Sequence, residues 1–375
     1  MKHILIISSY GSSLINFRLN LIKDILSKGY KVSVAAPSNH FSNDEQKKLK
    51  DLGVKINKFF LSRIGYNLLK DIRTIYEIYR VIKNSKPDII ISYTSKPIIY
   101  TGIILKFFPK IIYYPLITGL GTPFTEIVSI KKNIFKCLIS QLYTFALKSS
   151  YKVIFQNKDD LSLFLKLKIV RQKKKLFIVN GSGVDLNDYP LSILPSKPVF
   201  LMVARLLVFK GIREYAEAAK IVKSSYPNVT FQLAGGLDQS PSCISSSELK
   251  YYINQGNIEY LGEIKSAQSI LKSCKFYVLP SYYREGIPRS TLEALSTGRP
   301  VITSDSPGCR ETVIHEKNGL LIPVKNVEAL ANAMIRLLEE KEEVIQNMAK
   351  QSFLIAKNKF DVKKVNKKFI DIIGL

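Results

Sequence analysis

The amino-acid sequence predicts an α/β protein built from two doubly wound domains, each with a parallel sheet. Its 375 residues are enough for two domains with separate hydrophobic cores. Short, continuous apolar runs alternate with helical segments along both halves of the chain, as is typical of buried parallel strands and their connecting helices. Between the halves, residues 180–198 hold three prolines and two glycines without periodicity, which predicts a linker.

The first half of the chain opens with a βαβ unit. The apolar run 2–8 predicts a buried strand, a turn containing Gly11 follows it, and residues 16–28 predict a helix. The later helices of this half are predicted at 43–52, 68–85 and 132–149, and its later strands at 31–36, 88–92, 110–115, 152–155 and 176–179. We therefore place the first domain at residues 1–190.

The second half repeats the alternation of strands and helices. Its strands are predicted at 199–204, 230–236, 258–262 and 276–280, and its helices at 212–225, 290–296 and 327–340. We place the second domain at residues 191–352. In the tail, 353–375, apolar residues recur at helical spacing and predict a last helix, for which packing on the second domain is the simplest arrangement.

The chain carries a formal net charge of +26, and that charge is distributed unevenly. Residues 1–190 hold 31 Lys and Arg against 12 Asp and Glu, whereas residues 191–375 hold 25 against 18. The excess of +19 in the first half suits an anionic membrane surface. A nucleic acid is the rival partner, and a merely solvated basic surface is the third possibility.

Several classes of protein are disfavoured by what the sequence lacks. The four cysteines have no paired spacing, which favours reduced thiols over a zinc site. Charges and a proline interrupt the most apolar long window, 97–121, so we expect no transmembrane segment, and no secretory signal is apparent. The chain has no Asp-x-Asp pair and only three histidines. We expect His3 in a strand core and His315 in a loop, and neither these nor His40 identifies a catalytic base.

The most informative stretch contains two glutamates, Glu285 and Glu293, around the start of a predicted helix. Pro288 suits a first helical turn, where its missing N–H costs nothing. The backbone N–H groups of Gly286, Ile287 and Arg289 would then form an anion site at the helix N-terminus. Eight positions of helix span up to ~12 Å, enough for two acids to hold the two ends of a sugar nucleotide. The alternative is an amphipathic helix with solvated glutamates.

The sequence REGIPRSTLEALSTGRPVITSDSPGCRETV, which contains this stretch, closely resembles the donor-site signature of glycosyltransferase family 4. These enzymes have the GT-B fold, in which two Rossmann-like domains face a cleft, and they retain anomeric configuration. The resemblance implies that the C-terminal helix crosses back to the first domain. Ligands of doubly wound sheets bind at the carboxyl ends of the strands, which also favours the cleft.

The resemblance assigns candidate residues on the donor side. Arg205 and Lys210 in VARLLVFKGI match the family's Arg and Lys that hold the donor diphosphate, as a guanidinium and an ammonium can. We take Arg205, Lys210 and Glu285 as catalytic. The predicted donor-binding residues are Gly236, Gly262, Ile264, Gly286, Ile287, Pro288 and Glu293. Metal ligands are not predicted, and the UDP-sugar donor is a substrate, so we expect no cofactor.

On the acceptor side, the first domain resembles enzymes that extend polyprenyl-diphosphate-linked glycans. The predicted acceptor-binding residues are Gly11, Asn16, Arg18, Lys96, Thr118 and Gly119. Arg18 and Lys96 either meet the acceptor's diphosphate or lie on the surface.

The resemblance therefore implies a retaining glycosyltransferase that moves a hexose or N-acetylhexosamine from a UDP-sugar to a lipid-linked glycan. Such an enzyme would serve synthesis of O-antigen, capsule or a related bacterial surface polysaccharide. We expect it to be cytoplasmic and peripheral on the inner face of the plasma membrane, with a nucleotide sugar, the lipid-linked acceptor and anionic lipid as partners. The alternatives are a sugar-nucleotide epimerase or hydrolase on the same fold and, from charge alone, a nucleic-acid-binding protein.

Overall fold

The computed structural model describes residues 1–38, 41–62, 65, 67–121, 124, 130–237 and 240–375. The chain divides into two compact units. Unit 1 is Met1–Ser182 together with Lys364–Leu375, and unit 2 is Gly183–Lys363. Both units are doubly wound α/β domains, as predicted. Among the described residues, no helix has the length and apolarity needed to span a membrane.

Unit 1 has a seven-stranded parallel sheet with the strand order β3-β2-β1-β4-β5-β6-β7. Its strands are β1 (His3–Ile7), β2 (Lys31–Pro37), β3 (Lys55–Phe59), β4 (Ile89–Tyr93), β5 (Ile112–Ile117), β6 (Val153–Phe155) and β7 (Leu176–Ile178). Its first helices are α1 (Ser12–Ser27), α2 (Asn43–Asp51), α3 (Leu68–Ser85), α4 (Ser95–Ile104), α5 (Ile130–Leu147) and α6 (Lys158–Lys166). Helices cover both faces of the sheet, which is why the central strand β1 is apolar throughout and entirely buried.

Unit 2 has a six-stranded parallel sheet with the order β10-β9-β8-β11-β12-β13. Its strands are β8 (Val199–Val203), β9 (Thr230–Ala234), β10 (Glu259–Tyr260), β11 (Phe276–Leu279), β12 (Val301–Ser304) and β13 (Gly319–Ile322). Its helices are α7 (Ile212–Ser225), α8 (Ser246–Asn254), α9 (Gln268–Ser273), α10 (Arg289–Ser296), α11 (Val327–Glu339) and α12 (Glu342–Ile355). Phe200 stacks between Phe231 and Phe276 at centroid distances of 5.2 and 4.8 Å, which fixes neighbouring strands to one another.

The boundary between the units differs from the predicted one at 190/191. The segment after Ser182 belongs to unit 2, because the amide of Val184 donates to the carbonyl of Phe360 at 2.8 Å and Val184 accepts from the amide of Val362 at 3.0 Å. Tyr189 is also buried in the core of unit 2. The return crossing lies at 363/364 rather than at 352/353, since α12 continues into a π-helical turn, Ala356–Phe360, whose ends are buried in that same core.

The last helix, α13 (Val362–Ile373), confirms the predicted crossing back to the first domain. Phe369 and Ile373 pack in the core of unit 1 against α1 and the sheet. The Tyr114 hydroxyl donates to the carbonyl of Ile373 at 2.9 Å, and the Asn366 amide donates to Asp24 at 2.7 Å. Packing on the second domain, the alternative that periodicity left open, is therefore wrong.

Candidate functional site

The candidate site of unit 2 lies where the strand order reverses direction. The chain moves from β8 to its neighbour β9 on one side, whereas β11 lies on the other side of β8 and leads to β12. The connections after β8 and β11 therefore run in opposite directions along the sheet, to β9 and to β12, and such a switch point is where doubly wound sheets bind ligands. Arg205 and Lys210 follow β8, and Glu285 follows β11.

The ammonium of Lys210 forms an ion pair with Oε1 of Glu285, 75 residues away in the sequence. The two side chains are only 14% and 12% exposed. Sequence reasoning gave these residues separate contacts, Lys210 with the diphosphate and Glu285 with the sugar. The structure instead brings the two side chains together as an ion pair.

Ser281 supports this ion pair and was missed by sequence reasoning. Its buried hydroxyl lies 3.1 Å from Oε1 of Glu285 and 3.2 Å from the carbonyl oxygen of Phe209. The same carbonyl accepts from the amides of Tyr282 and Tyr283 at 3.0 and 3.1 Å. The loop after β8 is thus held against the loop after β11, and a serine two positions after a strand gave no signal of this role in the sequence.

Two glycines, one in the loop after β8 and one in the loop after β12, allow close approach to the β11 end. Gly211, which directly follows Lys210, has φ +83°, and a Cβ there would lie 2.3 Å from the carbonyl oxygen of Pro280. Gly308 has φ +80°, and a Cβ there would lie 2.3 Å from the carbonyl oxygen of Gly286. Any larger side chain would push the loop that carries Glu285 out of position.

Helix α10 starts later than predicted. Pro288, expected within the first turn, is the N-cap residue, with φ −65° and ψ 119°, and the first helical residue is Arg289. Ile287 is buried in the hydrophobic core and anchors the segment before the cap. Of the three predicted amide donors, only that of Arg289 therefore lies in the first turn of the helix. Proline supplies no side-chain cap for this turn, which leaves a positive helix end beside Glu285.

The second glutamate, Glu293, is paired within its own helix. Nε of Arg289 lies 3.0 Å from its Oε1, and Nη1 of Arg289 donates to the carbonyl of Gly183 at 2.9 Å. Burial raises the pKa of Glu293, and the neighbouring Arg289 opposes that shift. The Arg289 side chain was missed, although Arg and Glu four positions apart on a helix are a known pairing signal.

The other predicted donor-binding residues lie on the same edge of the sheet. The amide of Leu206 donates to the carbonyl of Gly236 at 3.1 Å, and the amide of Gly235 donates to that of Gly262 at 2.8 Å. The loops after β8, β9 and β10 are thereby linked. Arg205 is exposed at this edge, and Ile264 is half-buried against the core.

In unit 1, the predicted acceptor-binding residues follow β1, β4 and β5, which are neighbours in the sheet. Gly11 precedes α1, and a Cβ there would lie 2.3 Å from Cγ of Phe41, so close packing alone explains this glycine. Asn16 is exposed on α1, while Thr118 and Gly119 are half-buried after β5. The structure therefore brings these residues to one edge of the sheet.

The two predicted cations of unit 1 are buried, so the alternative of a surface position is wrong for both. The guanidinium of Arg18 lies over the ring of Tyr93, 5.1 Å from its centroid. The ammonium of Lys96 donates to Asp71 at 2.9 Å and to the carbonyl of Ser62 at 2.8 Å. Their binding to an acceptor stays a prediction.

Sequence reasoning also missed Thr94, at the carboxyl end of β4. It has φ +69°, which is unusual for a β-branched residue. Its hydroxyl donates to that of Ser9, after β1, at 2.8 Å. The switch point of unit 1 thus holds a strained residue, and such strain clusters at functional sites.

The described residues contain no group of three His, Cys, Asp or Glu side chains that could hold a metal ion. His3 is buried, and its Nε2 lies 2.7 Å from the Ser33 hydroxyl, so it has the predicted structural role in the strand. His40 lies outside the described residues.

Comparisons with known proteins agree with this geometry. Residues 189–353 match the family described as Glycosyl transferases group 1, and residues 3–157 match the family described as Glycosyl transferase 4-like. A relative from Campylobacter jejuni, N,N'-diacetylbacillosaminyl-diphospho-undecaprenol alpha-1,3-N-acetylgalactosaminyltransferase, is 30% identical and the alignment covers 92% of each chain. An Escherichia coli relative, UDP-Gal:alpha-D-GlcNAc-diphosphoundecaprenol alpha-1,3-galactosyltransferase, is 29% identical, with 83% of this chain and 82% of that one covered.

Solved structures share the fold over the whole chain. Sucrose-phosphate synthase from Thermosynechococcus elongatus superposes with a TM-score of 0.79 at 17% identity, covering 100% of this chain and 98% of that one. Anabaena HepE in complex with UDP gives a TM-score of 0.75 at 18% identity, with 100% and 99% covered. At these identities the likeness establishes the two-domain architecture.

Proposed function

The chain belongs to the group 1 glycosyltransferases of the GT-B fold, and from this premise we propose that it transfers a hexose or N-acetylhexosamine from a UDP-sugar to a polyprenyl-diphosphate-linked glycan. The reaction would serve synthesis of a bacterial surface polysaccharide such as O-antigen or capsule. The names of the Campylobacter and Escherichia coli relatives, both transferases acting on undecaprenol-linked acceptors, support this choice of acceptor.

The observation that carries the proposal is the Lys210–Glu285 ion pair beside the start of α10. An ammonium has three N–H donors, and Glu285 occupies one of them. Lys210 can therefore keep its charge and orientation in the pair while it donates to a diphosphate. Glu285 acts as the counter-ion that positions Lys210, and a carboxylate has further lone pairs that can accept from a sugar hydroxyl.

Retention is explained best by attack from the face that the diphosphate leaves. The bond from C1 of the sugar to the phosphate oxygen breaks, the acceptor hydroxyl forms the new bond to C1, and its proton passes to the departing phosphate. Arg205, Lys210 and the amide of Arg289 stabilise the negative charge that grows on that phosphate. Among the described residues that directly follow β1, β4 and β5, 8–11, 94 and 118–121, there is no Asp or Glu to assign as a protein nucleophile.

Glu293 is proposed to bind the ribose of the donor. Its carboxylate is shared with Arg289, which holds it in position from within the same helix. Because the diphosphate is bound by cations and helix-end amides, we propose that the reaction needs no metal ion. We also propose that the enzyme acts at the cytoplasmic face of the plasma membrane, supported by the +19 excess in residues 1–190.

The test is a panel of UDP- and GDP-sugars with defined undecaprenyl-diphosphate-linked acceptors, with products identified by mass and the new anomeric configuration by NMR. We expect one UDP-sugar to give a product larger by one residue, with the configuration of the donor. Sugar released or isomerised without an acceptor would favour the hydrolase or epimerase. High-affinity, salt-sensitive binding of oligonucleotides without any sugar turnover would favour a nucleic-acid-binding protein.

A further inference from the structure

The solvent face of α3 is apolar and basic. Leu68, Leu69, Ile72 and Tyr76 lie on this face and are all more than half exposed. The other exposed residues of the helix are Lys70, Arg73, Arg80, Lys83 and Asn84. Of the two acids in α3, Asp71 is buried with Lys96, and Glu77 is paired with Arg73 at 2.8 Å. The helix therefore presents no unpaired negative charge on its outer face.

Helix α5 also presents apolar side chains to solvent. Among its described side chains, Ile134, Leu138 and Phe145 are exposed together with the neutral Asn133, Cys137 and Gln141, and the helix contains no Asp or Glu. The ammonium of Lys106, after α4, lies 3.4 Å from the centroid of the Phe145 ring. The neighbouring Phe107 is also exposed. We call these apolar residues of α3, α5 and Phe107, together with Lys106 and the exposed basic residues of α3, the α3/α5 face.

These helices belong to one layer of unit 1. Helices α3, α4 and α5 pack into the same core cluster on one side of the sheet, and α4, between the other two, is almost entirely buried. The first turn of α3 lies beside the first turn of α4, because Lys96 pairs with Asp71. The apolar N-terminal half of α3 is thus next to the carboxyl edge of the sheet, where the predicted acceptor-binding residues lie.

A surface helix of a globular protein normally turns its apolar side inward and its charges outward. Exposed apolar side chains interleaved with Lys and Arg are instead typical of segments that lie in a membrane interface. A nucleic-acid surface would need the basic residues but not the exposed Leu and Ile. The exposed face of α11 and α12 in unit 2 provides the contrast, because it carries several glutamates.

We propose that the α3/α5 face docks on an anionic lipid bilayer, with the side chains of Leu68, Leu69, Ile72, Ile134 and Leu138 entering the interface. We choose a bilayer as the partner because the basic residues of the face complement anionic headgroups, and because the acceptor in the proposed function, on which this inference rests, is lipid-linked. Basic residues draw the unit to anionic headgroups. Insertion of apolar side chains adds a component of binding that salt does not screen. The docked unit then holds its acceptor edge next to the membrane from which the acceptor comes.

The absence of tryptophan from the chain allows a direct test. Ile72→Trp and Leu138→Trp each introduce a single fluorophore into the proposed face. Ile314→Trp is the matched control in unit 2, since Ile314 is 54% exposed and Ile72 is 53% exposed. We expect phosphatidylglycerol-containing vesicles to shift the emission of the first two variants to shorter wavelength, and brominated lipid to quench it. The Ile314→Trp emission should not change.

The proposal is overturned if the Ile72→Trp and Leu138→Trp variants bind vesicles while their fluorophores stay solvated, or if the protein binds no vesicles at all. If wild type is a dimer and the double variant Ile72→Gln/Leu138→Gln is a monomer, the face binds a second copy of the chain instead of a membrane. In vesicle co-sedimentation at about 1 M salt, where the Debye length is about 3 Å, wild type should keep some binding. At this salt concentration the double variant should bind vesicles at least about tenfold more weakly than wild type, whereas Ile314→Gln should bind them as well as wild type does.

A transfer assay separates this proposal from the proposed function. With a short-chain, water-soluble acceptor the double variant should work as well as wild type, whereas with the acceptor embedded in vesicles it should be slower by about the same factor as its loss of binding. If wild type transfers sugar to neither acceptor, the proposed function fails, and the fluorescence experiment still decides the docking.

Discussion

Glu285→Gln tests the role assigned to the ion pair with Lys210. Two unit charges about 4 Å apart interact by about 4 kcal/mol at an effective dielectric constant of about 20. The pair is largely shielded from water, at 14% and 12% exposure, so little of this attraction is lost to solvent screening. Without this attraction Lys210 is no longer held where it stabilises the growing charge on the phosphate, and losing one such preorganised donor lowers the rate by about 10²–10³-fold, or about 3–4 kcal/mol. We therefore expect kcat to fall by this factor, with KM for the UDP-sugar changing little.

The assay measures initial rates over a range of donor concentrations, with product detected by mass, so that kcat and KM separate. Thermal unfolding of each variant establishes that the fold is intact. The control is Glu342→Gln, which breaks another Lys–Glu pair of unit 2, that of Glu342 with Lys275 at 2.7 Å, outside the donor-site signature. If Glu285→Gln raises KM alone, the donor lies the other way along α10. Unchanged kinetics would mean that the ion pair serves only to hold two loops together.

Three further predictions concern the same site. Glu293→Gln should mainly raise KM, because ribose contacts persist through the reaction. Since burial raises the pKa of Glu293, folded wild type takes up a proton there as the pH falls from 7 toward 4.5, which stabilises it. The variant Glu293→Gln cannot bind this proton, so its Tm relative to wild type should fall over the same pH range. Arg205→Ala or Lys210→Ala should each lower transfer by about 10²–10³-fold, and near-normal turnover with an intact fold would remove that residue from the mechanism. Activity should survive EDTA, and a full loss that Mn²⁺ or Mg²⁺ restores would contradict the metal-free mechanism.

The fold could be predicted where local sequence decides the structure. Continuous apolar runs such as β1 identify strands that are covered on both faces of the sheet. Helix α4 was missed because it is buried on nearly all sides, so its apolar residues show no helical period, and it opens with Ser-Lys-Pro. The domain boundary was misplaced for another reason. Proline content marks irregular backbone, but packing decides the unit, and Tyr189 is buried in the second one.

At the candidate site, sequence reasoning identified residues but not their partners. Lys210 and Glu285 were each singled out from local motifs, yet their pairing depends on β8 and β11 being neighbours in the sheet. The same strand order brings Ser281 to the loop after β8. Side-chain contacts across a switch point join residues far apart in sequence, so motif spacing alone does not reveal them. The Arg289–Glu293 pair is local, and the spacing rule for helices would have found it.

The lysines at the two switch points differ in their surroundings, and this difference indicates which unit binds the departing phosphate. In unit 1, the buried Lys96 is neutralised by the buried Asp71 and also donates to a backbone carbonyl. Removing one partner from a buried ion pair typically costs about 3–5 kcal/mol, so an acceptor diphosphate that took Lys96 from Asp71 would have to offset that cost. In unit 2, Lys210 keeps its counter-ion at an edge of the sheet that also carries the exposed Arg205 and a helix start without a side-chain cap. A diphosphate can bind there without breaking the pair, which explains why the departing nucleotide is assigned to unit 2.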